Sequence, residues 1–230
     1  MKEVSVILPT YNEAGNIGPL IHDIVKNLPC MTYEVLVVDD DSKDGTGEIV
    51  SSIAQRNSNV KLFVRKDERG LASAIRFGIE RASGSVVVVM DTDFNHPPEM
   101  IPKLLNALAD SDMAIGSRYI YGGGMSSSRL QFELSRFLNI YIKWVLNTKV
   151  NDNTCGFFAV KKELLDRLPL DRIFVGYGDY FFRLLYRLRN HKIKELPVIY
   201  GIRRSGETKT SILKMGYQYG FGAIKTRFKK

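Results

Sequence analysis

The chain has 230 residues, of which 44% are hydrophobic and 25% charged, and a formal charge of +8 at pH 7. These proportions suit one sizeable α/β domain and exclude a disordered, collagen-like or coiled-coil chain. Two cysteines, Cys30 and Cys155, are too few for a disulfide scaffold and read as small buried apolar groups in a reducing compartment.

Met1-Lys2-Glu3 passes straight into Val4-Ser5-Val6-Ile7-Leu8 with no small-residue cleavage site, so no secretory leader is expected. No run approaches the roughly 20 apolar residues of a membrane span. The positive balance points to an anionic partner, whether nucleotide phosphates, acidic lipid or nucleic acid.

In chain order the pattern predicts a strand over 4–8 and a helix over 16–28, with Ile17, Leu20, Ile21, Ile24 and Leu28 at helical spacing. A strand over 34–38, a helix over 48–56, a strand over 60–64 and a helix over 71–82 follow. Next come a strand over 86–90, a helix from Pro98 through Ala109 and a strand over 113–117. Strands separated by helices imply right-handed βαβ units and a mainly parallel sheet flanked by helices. In such sheets ligands gather at the carboxyl ends of the strands.

Three of those ends carry unusual residues. Asp91-Thr92-Asp93 follows Val86-Val87-Val88-Val89-Met90, and Asn95 adds another oxygen. Two carboxylates leaving a buried strand together suit Mg2+ or Mn2+ shared with substrate phosphates. The competing reading is a solvated turn capping the helix at Pro98. Asp39-Asp40-Asp41 crowds three like charges; it either accepts a nucleotide's base N–H groups and ribose hydroxyls or forms a turn capped by Asp41 or Ser42. His96 reads as a structural neighbour of the Asp pair rather than a base. There is no Gly-rich phosphate loop of either common type and no nucleophile elbow, and His22, His96 and His191 have no metal-ligand spacing.

Here a resemblance becomes specific. Val4 through Glu13, Val37-Val38-Asp39-Asp40-Asp41-Ser42-x-Asp44-Gly45-Thr46 and Met90-Asp91-Thr92-Asp93 resemble the inverting glycosyltransferases of family two, which have the GT-A fold. His96-Pro97-Pro98-Glu99, Gly116-Ser117-Arg118-Tyr119 and Arg203-x-x-Gly206-Glu207-Thr208-Lys209 are similar to one branch of it. That branch is the dolichyl-phosphate mannose synthases and related polyprenyl-phosphate glycosyltransferases. The likeness runs over residues 2–210.

The resemblance implies roles residue by residue. Pro9, Tyr11, Glu13, Val38 and Asp40 hold the nucleotide base and ribose, with the Thr92 backbone near the ribose. Asp91, Asp93 and Asn95 hold the metal, and Arg118, Arg203 and Lys209 contact phosphate oxygens. Arg129, Ser135 and Arg136 are the acceptor-phosphate candidates, at a spacing unlike that of the family. Cys155 stands where relatives carry Ser. Phe182 occupies the position of an expected Glu, which leaves Asp179 as its replacement.

The implied reaction moves a hexose with inversion from GDP-mannose, or alternatively UDP-glucose, to dolichyl (polyprenyl) phosphate. A phosphate monoester is already anionic at neutral pH, so no general base is expected. A hydroxyl acceptor is the alternative, and would need a base such as Asp179.

The segment 129–146 carries two apolar stripes, Leu130, Leu134, Phe137-Leu138, Tyr141-Ile142 and Val145 against Phe132, Ile140 and Trp144. One stripe packs on the domain, and the second needs a membrane, a partner or a second buried side. In the tail, Leu213, Tyr217, Phe221, Ile224 and Phe228 share a helical face among Lys214, Lys225, Arg227, Lys229 and Lys230, an interfacial pattern. The expected organisation is a GT-A domain over 1–210, with an interfacial region at 126–147, and a basic tail over 211–230. Peripheral attachment to the cytoplasmic face of a membrane follows, with a separate membrane subunit as partner. Nucleic acid is not expected, because the ligand-binding strand ends are acidic.

Overall fold

A computed structural model describes residues 3–29, 31–126, 129–201 and 212–228. The first half runs β1 (Val4–Thr10), α1 (Ala14–Lys26), β2 (Tyr33–Asp39), α2 (Thr46–Arg56), β3 (Val60–Val64), α3 (Leu71–Arg81) and β4 (Val86–Val89). A 3-10 turn at Pro98–Met100 leads into α4 (Ile101–Ala107), β5 (Met113–Ser117), β6 (Gly124–Met125) and α5 (Arg129–Leu146). The remainder is β7 (Phe158–Lys161), α6 (Lys162–Leu165), α7 (Leu170–Ile173), α8 (Tyr180–Arg187), β8 (Ile193–Pro197), β9 (Ile199–Tyr200) and α9 (Ile212–Phe228). The helix expected over 98–109 starts as a 3-10 turn at Pro98 and ends at Ala107; beyond it the N–H groups of Leu108 and Ala109 bond three residues back, to Leu105 and Asn106.

The main sheet has the order β3-β2-β1-β4-β7-β5-β8. It is parallel except for β7, which runs antiparallel to both β4 and β5. A reading by alternating strands and helices gives no place to this four-residue insertion. Every residue of β1 and β2 is buried, which requires cover on both faces of the sheet. Pro9 is tolerated in β1 because it lies beyond Ile7↔Val89, the last pair with β4.

One acid breaks the apolar pattern. Glu34 on β2 is fully buried and accepts hydrogen bonds from Ser5 Oγ (2.6 Å), Ser83 N–H (2.7 Å), Ser83 Oγ (2.8 Å) and Lys61 Nζ (2.8 Å). Burial alone would raise its pKa, but Lys61 and these donors outweigh it and bring the pKa down to about 2.

A second, smaller core joins Ile142 and Leu146 of α5, Phe182 of α8, and Tyr219 and Ala223 of α9. The tail is therefore packed as well as amphipathic. Gly222 allows the approach, since a Cβ there would stand 3.1 Å from Phe182 Cζ. The stripes of α5 divide differently from the sequence expectation. Leu138, Ile142 and Leu146 face the second core, whereas Leu130, Leu134, Phe137, Ile140 and Trp144 are all exposed. Phe132 instead packs on Tyr119, ring centroids 5.2 Å apart. The helix is thus not buried on both sides. Phe221, Ile224 and Phe228 of α9 are also exposed; the side chains of Leu213, Lys214 and Tyr217, and Lys229 and Lys230, lie outside the described residues.

Candidate active site

Neighbouring parallel strands β2, β1 and β4 bring three polar carboxyl ends together, with Thr10 paired to Asp39 and Ile7 to Val89. The two loops beyond β1 and β2 are tied to each other. Asn12 N–H donates to Ser42 Oγ (2.8 Å), Glu13 N–H to Thr46 Oγ1 (2.9 Å) and Ala14 N–H to Asp44 Oδ2 (2.9 Å). Ser42, Asp44 and Thr46 thereby satisfy N–H groups at the start of α1. Gly45 turns the chain into α2 at φ +95°, a left-handed conformation natural to glycine. Glu13 accepts from Asn16 Nδ2 at 2.6 Å, and Asp39 holds Ser42 through its N–H (3.2 Å) and its Oγ.

Asp40 is nearly buried. Its Oδ1 accepts from Arg65 Nε at 2.7 Å and its Oδ2 from Gly70 N–H at 2.7 Å. Arg65 is itself buried and also donates to Ser73 Oγ at 3.0 Å. Asp40, expected to help hold the nucleotide base and ribose, clamps the 65–70 loop. The clamp sets Arg69 beside the first strand end, 5.4 Å from the Tyr11 ring centroid and 3.7 Å from the Asp41 carboxylate. Sequence reasoning missed Arg65 and Arg69; the signal was the charged run Arg65-Lys66-Asp67-Glu68-Arg69-Gly70 directly after β3. Pro9 and Val38 are buried beneath this rim, and Tyr11 is exposed.

At the end of β4, Asp93 and Thr92 are buried while the Asp91 side chain is 38% exposed. Asp93 is fixed by its neighbour: Oδ1 accepts Asn95 N–H at 3.1 Å and Oδ2 accepts Asn95 Nδ2 at 2.8 Å. Asn95, expected as a metal ligand, turns its amide nitrogen onto Asp93 and acts as its support. Asp91 N–H donates to His96 Nδ1 at 2.9 Å. His96 is fully buried, stacked on Phe157 with centroids 5.0 Å apart and edge-on to Tyr200 at 4.7 Å. Burial pushes its pKa down to about 3, so the ring is neutral at neutral pH.

Arg118, expected to contact phosphate oxygens, is held by a buried acid. It donates from Nε to Asp152 Oδ2 (2.8 Å) and from Nη2 to Asp152 Oδ1 (2.7 Å), and Nη2 also reaches Thr154 Oγ1 (2.8 Å). Arg118 and Asp152 are both buried, and the carboxylate compensates the guanidinium. Burial would lower the Arg118 pKa, but Asp152 raises it well above the ordinary arginine value.

Among the acceptor candidates, Ser135 accepts from Tyr119 Oη at 2.7 Å, Arg136 lies exposed 3.7 Å from Glu133, and Arg129 is exposed. Arg203 and Lys209 lie outside the described residues, as does Cys30. Cys155 is buried and free, and burial pushes its thiol up to about 12, as expected for a small apolar group. Asp179 is ion-paired with Arg183, and its Oδ1 accepts Tyr177 N–H at 3.1 Å.

The profile described as Glycosyl transferase family 2 matches residues 5–168. The chain is 40% identical over 211 residues to a dolichol-phosphate mannosyltransferase of Pyrococcus furiosus, covering 90% of this chain and 59% of the relative. It thus spans about three-fifths of that relative's length. It is 33% identical to the dolichol-phosphate mannosyltransferase of Saccharomyces cerevisiae, covering 96% and 89% of the two chains. Identity to a polyprenol monophosphomannose synthase of Mycolicibacterium smegmatis is 36%, covering 90% and 80%. Among solved structures, glucosyl-3-phosphoglycerate synthase of Mycobacterium tuberculosis, in complex with Mn2+, UDP and glucosyl-3-phosphoglycerate, superposes with a TM-score of 0.71. That pair is 22% identical and covers 98% of this chain and 80% of the other; the likeness is one of fold.

Proposed function

Because the chain belongs to glycosyl transferase family 2, we propose that it transfers mannose from GDP-mannose to a polyprenyl (dolichyl) phosphate with inversion. The observation that carries this reading is the Asp91/Asp93 pair at the end of β4, beside the β1 and β2 ends suited to a nucleotide. The activities named for the three curated relatives support mannose over glucose.

The residues present fit a divalent cation. Two carboxylates from one turn leave open positions for diphosphate oxygens; among the described residues no group of three or more His, Cys, Asp or Glu could hold a metal by itself, so the substrate would complete the coordination. When bound there, Mg2+ or Mn2+ spreads the negative charge that develops on the departing nucleoside diphosphate. Asp93 is held by Asn95 as the fixed ligand and Asp91 presents the more exposed carboxylate. Tyr11 and Arg69 cover the nucleotide at the β1 end. The acceptor phosphate attacks directly, so the protein's task is alignment rather than proton removal. Asp179, engaged by Arg183 and the Tyr177 N–H, is not needed as a base.

The same reading puts the protein on a membrane surface. No helix among the described residues is long and apolar enough to cross one. The exposed stripe of α5 lies on a helix packed against α9, which carries exposed Phe221, Ile224 and Phe228. Arg172, Arg187 and Lys225 line a cavity of about 860 Å³ beside α9. Apolar residues next to cations suit an anionic interface.

The test is a transfer assay with purified protein, Mg2+ or Mn2+, polyprenyl phosphate and labelled GDP-mannose or UDP-glucose in parallel. Label from GDP-mannose extracted into organic solvent, absent with Asp93→Ala, is expected. Label from UDP-glucose alone would replace the donor, and no lipid label from either donor would overturn the acceptor.

A further inference from the structure

Nε2 of His96 is a buried polar atom without a hydrogen-bond partner, one of two such side-chain atoms among the described residues. Because Nδ1 accepts the Asp91 N–H at 2.9 Å, the ring proton sits on Nε2, which is therefore an unused N–H donor. A buried donor left unsatisfied loses its hydration without replacement and calls for an explanation. Asp91 Oδ2 lies 3.8 Å from it, too far for a hydrogen bond.

The ring itself is immobilised by its stack on Phe157 and its edge contact with Tyr200. The Asp91 side chain faces it from the rim of the site and is 38% exposed. A shift of about 1 Å by its carboxylate would bring Oδ2 within reach of Nε2–H. His96 also has no lone pair to offer as a base, one nitrogen being an occupied acceptor and the other a donor.

We propose that His96 is a positioning residue for Asp91. Its Nδ1 anchors the Asp91 backbone, and its Nε2–H supplies the hydrogen bond that fixes the carboxylate once it has turned onto a divalent cation. This rests on the reading of Asp91 and Asp93 as cation ligands. Carboxylates that bind metals are themselves oriented by outer hydrogen bonds, and loss of such a partner weakens metal binding about 10–100-fold.

The test is Mn2+ binding in the presence of GDP, followed by the electron paramagnetic resonance signal of free Mn2+, alongside the thermal unfolding midpoint. Three proteins are compared: wild type, His96→Phe, which keeps a stacking ring without nitrogens, and His96→Gln, which offers both an acceptor and a donor. The expected result is about 10-fold or more weaker Mn2+ binding in folded His96→Phe, with substantial recovery in His96→Gln. If His96→Phe does not fold, His96→Asn, which can accept the backbone N–H but is too short to reach the carboxylate, is read by the same criterion. Wild-type affinity in the folded variant would overturn the role of His96 alone. Failure of the wild type to bind Mn2+ would overturn the cation reading beneath it as well.

Discussion

Arg118 and Asp152 form a two-pronged ion pair, Nε to Oδ2 at 2.8 Å and Nη2 to Oδ1 at 2.7 Å, with the Asp152 side chain fully buried. The pair ties the end of β5 to the 151–154 loop, which Glu195 holds from β8 through the N–H groups of Asn151 (2.9 Å) and Asp152 (3.2 Å). Removing one partner strands a buried charge, so Asp152→Ala should lose about 3–5 kcal/mol of stability. Urea unfolding measures this; an unchanged midpoint would show that Arg118 does not depend on Asp152.

Glu34 makes stability pH-dependent. Its pKa is about 2 in the fold against an ordinary 4.5, so the unfolded chain binds the proton more readily. The contribution is fully present above about pH 4.5 and is lost as pH falls toward 2, amounting to about 3 kcal/mol. Denaturation midpoints measured from pH 6 down to pH 2 should fall less steeply in Glu34→Gln than in the wild type. Parallel curves would contradict the assignment.

The Asp40–Arg65 clamp and the Arg69 it positions should separate in their effects. Arg65→Met leaves Asp40 without its buried partner and should lower the unfolding midpoint. Arg69→Ala removes an exposed cation beside Tyr11 and should weaken GDP binding by about 2- to 5-fold, in line with a contact of 0.5–1 kcal/mol, with stability unchanged. Calorimetric titration of both variants distinguishes the roles.

The first half of the fold was legible because its strands are continuous apolar runs and its helices keep a single apolar face. All five predicted strands form, each within two residues of its expected ends. The later half was less legible. β7 is four residues long and finds its place by pairing with strands that precede it by tens of residues, and periodicity carries no such information. The candidate site residues were chosen by motif, but motif does not reveal partners. Asp40 and Arg118 are acidic and basic in the right places, yet each spends its charge on a buried neighbour distant in sequence. α9 forms despite Gly216, Gly220 and Gly222 because packing against α5 and α8 overrides helix propensity.

The exposed stripe of α5 provides a prediction about membranes. Phe137 is 67% exposed and Trp144 80%, and neither contributes to the second core. The double variant Phe137→Glu/Trp144→Glu should keep its circular dichroism spectrum and lose co-sedimentation with vesicles containing anionic lipid. Sedimentation equal to that of the wild type would remove α5 from the membrane surface.

The central claim is that the acceptor is a phosphate that needs no base, aligned beside Asp91 and Asp93. The most direct measurement offers the purified protein, with Mn2+ and labelled GDP-mannose, either polyprenyl phosphate or the corresponding polyprenol. Organic-phase label with the phosphate, none with the alcohol, and loss of both label and Mn2+ dependence in Asp93→Ala are predicted. Equal transfer to the alcohol, or transfer that survives Asp93→Ala, would contradict it.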